Sequence, residues 1–247
     1  MILSIMQPAY LPWLGYFHRI AVSDLHIVLD HVQIDRNSKT KFANRNRIRT
    51  PQGWCWLTIP LHSSSDLALY HLRIEADSRW AQKHWNAIRL NYARASHFEE
   101  HAPFFEGLYR RPWVRLNDLV RETTTYLLRA FGMETPLQYS STMGPSGRKD
   151  ELILELCRQA GATTYLSGPL GRDYLREDLF RDTGINVVFH DYVHPRYDQV
   201  YAGFEANMSA IDLLFNRGPR SREILMSGNV SREEIERAEA RIQAGSK

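Results

Sequence analysis

The chain has 247 residues, 43% hydrophobic and 24% charged, with a formal net charge of +3. That balance fits a folded globular protein with a sizeable core and excludes disordered, collagenous and disulfide-scaffold classes. No apolar run reaches the ~18 residues of a spanning helix, and the start lacks the basic region and cleavage site of a signal peptide, so a cytoplasmic protein without membrane insertion is expected. The charge excess is too small for a surface that grips a nucleic-acid duplex but suffices for a small anionic substrate. Cys55 and Cys157 lie far apart without CxxC spacing, which argues against a zinc site or a disulfide framework.

Residues 2–6 form an apolar run that predicts a strand, and Pro8 and Pro12 make Gln7 to Pro12 a loop. An amphipathic helix is expected over 13–23, then a second strand over 25–29 that ends on Asp30. A right-handed crossover sets the two strands parallel, with the Gln7 to Trp13 loop at their carboxyl edge, where open α/β sheets bind ligands. Tyr10, Trp13, Tyr16 and Phe17 crowd this region; helix periodicity turns Trp13 and Phe17 partly toward the core. Gln7 and Tyr10 suit ligand recognition, and Gly15 permits close backbone approach.

Residues 39–50, KTKFANRNRIRT, concentrate much of the basic charge and are read as an anion-binding loop. Asn44 and Asn46 can donate and accept, while Arg45 and Arg47 grip phosphate or carboxylate through planar forks. Strands are expected from Gly53 to Pro60 and from Ala68 to Ile74, followed by three helices over 78–95, 97–109 and 113–131 that read as a helical insertion. Their aromatics fall at helical spacings and are read as packing.

The α/β rhythm resumes at Leu137 with three further strands, LQYSSTM, TTYLS and INVVFHDY, separated by two helices. Alternation of this kind implies a parallel sheet of about five strands with helices on both faces. Cys157 shares a helix face with Ile153 and Ala160 and is read as a buried thiol. Ser167, Gly168, Gly171, Arg172 and Asp173 form a small-residue turn entering a helix, an arrangement that holds anions without matching any nucleotide motif. GPSGRKD at 144–150 is the same device or only a turn.

His190, Asp191, His194, Tyr197 and Gln199 cluster around Pro195 beyond the last strand. His190 is read as part of the strand, and His194 as a candidate for general acid and base work. No spacing is diagnostic of a metal site. One α/β domain over 1–230 is expected, with an insertion near 78–131 and a charged terminal helix or tail over 231–247.

The chain resembles the WbqC-like protein family through QPAYLPWLGYFHRI and the LDHVQ strand end, through NRNRIRTPQGWCWLTIPL and TTYLSGPLGRDYL, and through YVHPRYDQVYAGFEANMSAIDLLFNRG. The likeness implies a setting in bacterial surface-polysaccharide synthesis, notably of O-antigen, with transfer of glycine or a related aminoacyl group to a sugar. A lesser likeness is to HIGH-motif nucleotidyltransferases, whose first strand leads through a loop to a histidine-bearing helix start. Here that stretch reads WLGY, keeping the glycine and lacking both histidines, for which Tyr16 and His18 substitute only in part.

The sequence therefore predicts one pocket uniting Gln7, Tyr10, Trp13, Asp30, Asn44, Arg45, Asn46, Arg47, Ser167, Gly168, His194 and Tyr197. In it His194 or Asp30 is the base, and the arginines and the 167–171 turn hold the anion. The expected function is acyl or aminoacyl transfer to a sugar or nucleotide-linked sugar. The alternatives are a nucleotide-dependent ligase that activates a carboxylate and a non-catalytic binding module. The expected partners are a small anionic substrate, such as a nucleotide-linked sugar, and an aminoacyl donor; the cofactor stays open.

Overall fold

In the computed structural model of the chain, residues 1–34, 42–63, 68–76 and 79–237 are described. Strand β1 (Ile2–Met6) leads through a loop to α1 (Leu14–Ala21) and β2 (Leu25–Val28). A hairpin of β3 (Arg45–Thr50) and β4 (Gly53–Thr58) follows, then α2 (Arg79–Tyr92), α3 (Phe98–Arg110) and α4 (Leu116–Ala130). The alternation resumes with β5 (Leu137–Tyr139), α5 (Lys149–Ala160), β6 (Thr164–Ser167), α6 (Glu177–Arg181) and β7 (Asn186–Phe189), and α7 (Ala210–Arg217) and α8 (Ser221–Met226) come last.

The main sheet has five strands in the order β5-β2-β1-β6-β7, with every neighbouring pair parallel. The chain steps outward from β1 to β2 and β5, then returns to the other side of β1 for β6 and β7. Counting only these strands, the order is 3-2-1-4-5, that of the nucleotide-binding half of a doubly wound sheet. Its reversal lies between β1 and β6, so the loops after those two strands diverge and leave a crevice at the carboxyl edge.

The strands are apolar runs because both faces of the sheet are covered. Leu3, Ile5, Leu25 and Ile27 pack against Leu152 and Leu156 of α5 and Phe180 of α6. A larger core joins Leu14 and Phe17 of α1 to Trp85, Phe105 and Leu119 of α2–α4 and to Phe215 of α7. Ser4 and His26 interrupt the apolar pattern. They are register partners on adjacent strands and bond each other, Oγ to Nδ1, at 2.8 Å. The three central helices fall where periodicity predicts them, although Ser78, the expected first residue, lies outside the described residues. They share their core with α1 and α7.

Two expectations are corrected. The segment 68–74 is a 3-10 turn at Leu69–His71 flanked by isolated bridges, because Leu69, Leu72 and Ile74 are buried by docking on the core while the Leu69 and Tyr70 N–H groups bond the Val32 and Asp30 carbonyls. The basic stretch is strand from residue 45 onward, because its period of two buries Asn46 and Ile48 on one side; residues 39–41 lie outside the described residues. At the far end residues 232–237 are helical and Ile235 is buried against Ile2, Val22 and Leu166, while 238–247 lie outside the described residues. Among the described residues no helix is long and apolar enough to cross a membrane.

Candidate functional site

A cavity of about 590 Å³ opens in the crevice between the loops that follow β1 and β6. Ile5 and Met6 of β1 line it, as do Gln7, Trp13 and Gly15 from the first loop and helix start. Ser167, Gly168 and Gly171 contribute from the β6 side. Aromatic wall is added by Phe42, Tyr165, Tyr174 and Tyr192, and Trp13 packs on Phe42 with ring centroids 4.9 Å apart. Its size is that of a small-ligand site, and mostly apolar walls with a few polar groups are usual for one.

The first loop is pinned rather than loose. The Tyr10 N–H bonds the Phe42 carbonyl at 3.0 Å, Ala210 N–H bonds the Pro12 carbonyl at 2.8 Å, and Asn46 Nδ2 donates to the Leu11 carbonyl at 2.6 Å. These contacts hold Leu11 at φ 44°, a conformation costly for a residue with a Cβ and kept only where the surroundings over-determine it. Gly15 is required by packing: a Cβ there would lie 2.9 Å from the Tyr192 ring. The β6 loop is equally tight, since a Cβ on Gly171 would strike Ser167 Oγ.

Polar character enters through Arg19 and His190. Arg19 stands one helical turn beyond Gly15, is 9% exposed, and lines the cavity with its guanidinium against Gly168. Among the described residues no carboxylate pairs with it. Its Nε donates to His190 Nδ1 at 3.4 Å, and His190 Nε2 lies 2.8 Å from His18 Nδ1. Burial first, then the Arg19 charge, pushes His18 down to about 4 and His190 down to about 3, so both rings are neutral at physiological pH. The tautomers follow: His190 accepts at Nδ1 and donates from Nε2, leaving the buried His18 Nε2–H without a partner among the described residues. Burial likewise lowers Arg19 from its ordinary value.

Of the residues the sequence singled out, Gln7, Trp13, Ser167 and Gly168 meet in this cavity. The single pocket of twelve is otherwise corrected. Tyr10 is fully buried, its hydroxyl shared between His84 Nδ1 at 2.9 Å and the Tyr109 hydroxyl. Asp30 does end β2 at the sheet's carboxyl edge, but on the β5 side, where it accepts from the Ser140 and Ser141 hydroxyls, Ser141 N–H and Asn117 Nδ2. Asn44 extends the hairpin by bonding the Ile59 carbonyl, and Asn46 is a buried clamp on the first loop. Arg45 stacks on Trp56 at 4.3 Å, and Arg47 stacks on Trp54 at 4.9 Å while donating to the Asn207 carbonyl at the cavity rim. His194 turns its Nδ1 to the Pro195 carbonyl at 2.9 Å and is lowered by burial. Tyr197 donates to the buried carboxylate of Asp212 at 2.8 Å. These groups fill hydrogen-bonding needs of the packed interior and hairpin, which is why they stand apart from the cavity.

Sequence reasoning missed Arg19 and gave His190 only a structural reading. A signal existed: an arginine four residues after Gly15, on a short helix otherwise nearly all apolar, has to be buried. Among the described residues, no His, Cys, Asp or Glu cluster of three or more is placed to hold a metal ion.

No solved structure matches the chain significantly. An uncharacterized protein of Mycobacterium tuberculosis is 36% identical over 228 residues, spanning 90% of this chain and 96% of that relative. The WbqC-like protein family matches residues 7–224, from the cavity loop through α8. That match takes in both loops of the cavity, Arg19 and His190, and on its extent the chain belongs to the WbqC-like protein family.

Proposed function

We propose that the protein transfers a small acyl or aminoacyl group, glycyl leading, to a sugar or nucleotide-linked sugar destined for bacterial surface polysaccharide such as O-antigen, with the nucleotide-linked partner bound in the switch-point cavity. The observation that carries this reading is where the cavity opens: between β1 and β6, at the reversal of strand order, the place where doubly wound sheets take nucleotides. Aromatic walls at Trp13, Phe42 and Tyr192 suit a base or sugar ring. The glycyl group and the polysaccharide setting come from the family's associations.

The side chains favour direct transfer. Cys157 is buried in the α5 core and Cys55 sits on the hairpin, so neither offers an acyl-enzyme nucleophile at the cavity. His190 has both ring nitrogens engaged, and Asp30 and His194 stand elsewhere. An acceptor that attacks without help from a base is an uncharged amine. Its nitrogen bonds to the activated carbonyl carbon, the bond to the leaving group breaks, and the surplus proton passes to water.

The test is to incubate purified protein with a nucleotide-linked amino sugar and, in turn, an aminoacyl adenylate, a thioester and an aminoacyl-tRNA, and to weigh the products. A product heavier by the acyl group supports the reading. Thermal stabilisation without product under any donor replaces it with a non-catalytic binding module. A second reading, a ligase that activates a carboxylate with a nucleotide, is favoured by the 3-2-1-4-5 strand order with the α1 start at the cavity; product from ATP and free glycine alone would select it.

A further inference from the structure

We propose that Arg19 is the anion-binding centre of the switch-point cavity and that the group it takes is the diphosphate of a nucleotide-linked substrate, with Gly168 left bare to seat the guanidinium. The inference rests on the reading of the cavity as a nucleotide-linked sugar site and deepens it by naming the contact. Four observations converge.

First, among the described residues the charge is uncompensated: Arg19 is 9% exposed, yet no carboxylate there pairs with it. A buried cation is normally paired. One that is not is a cost the folded chain carries until a ligand supplies the anion.

Second, the fork is held for use. His190 occupies Nε and no other donor of the guanidinium has a hydrogen-bond partner among the described residues, so both Nη groups remain to grip two oxygens in one plane. His190 is itself oriented by His18, and the pair is stacked with ring centroids 4.9 Å apart. Neutral histidines suit this task, because a protonated His190 would lose its acceptor and repel the guanidinium.

Third, the guanidinium is seated against bare backbone. Gly168 has an ordinary φ of −75°, so its backbone does not require glycine. What requires it is space: a Cβ would fall 2.7 Å from Arg19 Nη2. Fourth, Gly15 at the positive N-terminal end of α1 lines the same cavity as Arg19. A diphosphate fits this setting better than a carboxylate because the crevice sits at the nucleotide position of the sheet order and is bounded by the N-terminal turn of α1 and the glycine-bearing loop after β6.

The experiment measures binding of inorganic pyrophosphate, uridine diphosphate, uridine and acetate to the wild-type chain, Arg19→Met, Arg19→Lys and Arg45→Ala, by calorimetry, with melting curves in parallel. The expected result is that pyrophosphate and uridine diphosphate bind the wild type and Arg45→Ala alike, and bind Arg19→Met at least tenfold more weakly, with Arg19→Lys between. Without ligand, Arg19→Met should melt at or above the wild-type temperature, since it removes an unpaired buried charge. Equal pyrophosphate affinity in wild type and Arg19→Met overturns the proposal. So does a lowered melting temperature of ligand-free Arg19→Met, which makes Arg19 a structural group, and so does acetate binding as tightly as pyrophosphate. Loss of pyrophosphate binding in Arg19→Met, together with no acyl transfer by the wild type under any donor, leaves this subsite standing and removes the transferase reading. Transfer that persists undiminished in Arg19→Met does the reverse.

Discussion

Gly168 and Arg19 touch across the cavity wall: a Cβ built on Gly168 would lie 2.7 Å from Nη2 and 2.9 Å from Nη1 of the arginine. The contact ties the loop after β6 to the helix after β1.

Gly168→Ala tests that contact without touching the charge. The backbone tolerates alanine, so the cost to folding is confined to overpacking, about 1–3 kcal/mol or less if the guanidinium swings aside. Diphosphate affinity should fall several-fold, with the melting temperature lowered by no more than that overpacking cost. Calorimetry with uridine diphosphate checks it, and an unchanged affinity would mean that the fork has room to relocate.

Tyr10 belongs to the interior. Tyr10→Phe leaves His84 and Tyr109 short of a buried partner and should destabilise the fold by about 1–3 kcal/mol in urea titration. Ligand affinity should stay at the wild-type value, since the hydroxyl points to α2 and α3. A large affinity loss with unaltered stability would contradict the assignment.

Asn46→Ala removes the donor that holds the Leu11 carbonyl. With that clamp gone, the unfavourable φ at Leu11 loses one of its restraints. The expected cost is about 1–3 kcal/mol, with faster amide hydrogen exchange confined to the loop after β1. Uniform protection across that loop in the variant would show that Tyr10 N–H and Ala210 N–H suffice.

Four histidines are buried neutral: burial sends His18 and His84 down to about 4 and His26 and His190 down to about 3. Their folded values lie below the unfolded value near 6.5, so the unfolded chain binds more protons in the window between. Stability is therefore full above about pH 6.5 and is lost as pH falls toward 4, by up to ~1.4 kcal/mol per pH unit for each histidine. Urea midpoints from pH 7.5 to 4.5 check the slope. A flat profile below pH 6 would mean that these rings are not held neutral.

The sequence by itself determined the alternation of strand and helix and the parallel sheet of five strands. These are local properties: apolar runs of strand length, periodic helices and glycines at helix ends leave few arrangements once crossovers must be right-handed. Gln7 and Gly168 follow β1 and β6 directly and line one cavity, because a residue just past a parallel strand is fixed by the strand itself. Only the tertiary structure decided which polar groups face the cavity. Tyr10, Asp30, Asn46 and Tyr197 read as chemistry along the chain, but each is satisfied by a partner between 15 and 111 residues away, Tyr197 by Asp212 and Asp30 by Ser140 and Ser141. Arg45 and Arg47 lie over indoles across the hairpin. Arg19 looked like one charge on an apolar helix until the fold brought His190 and Gly168 against it, and whether a buried charge is paired is a question only long-range contacts answer.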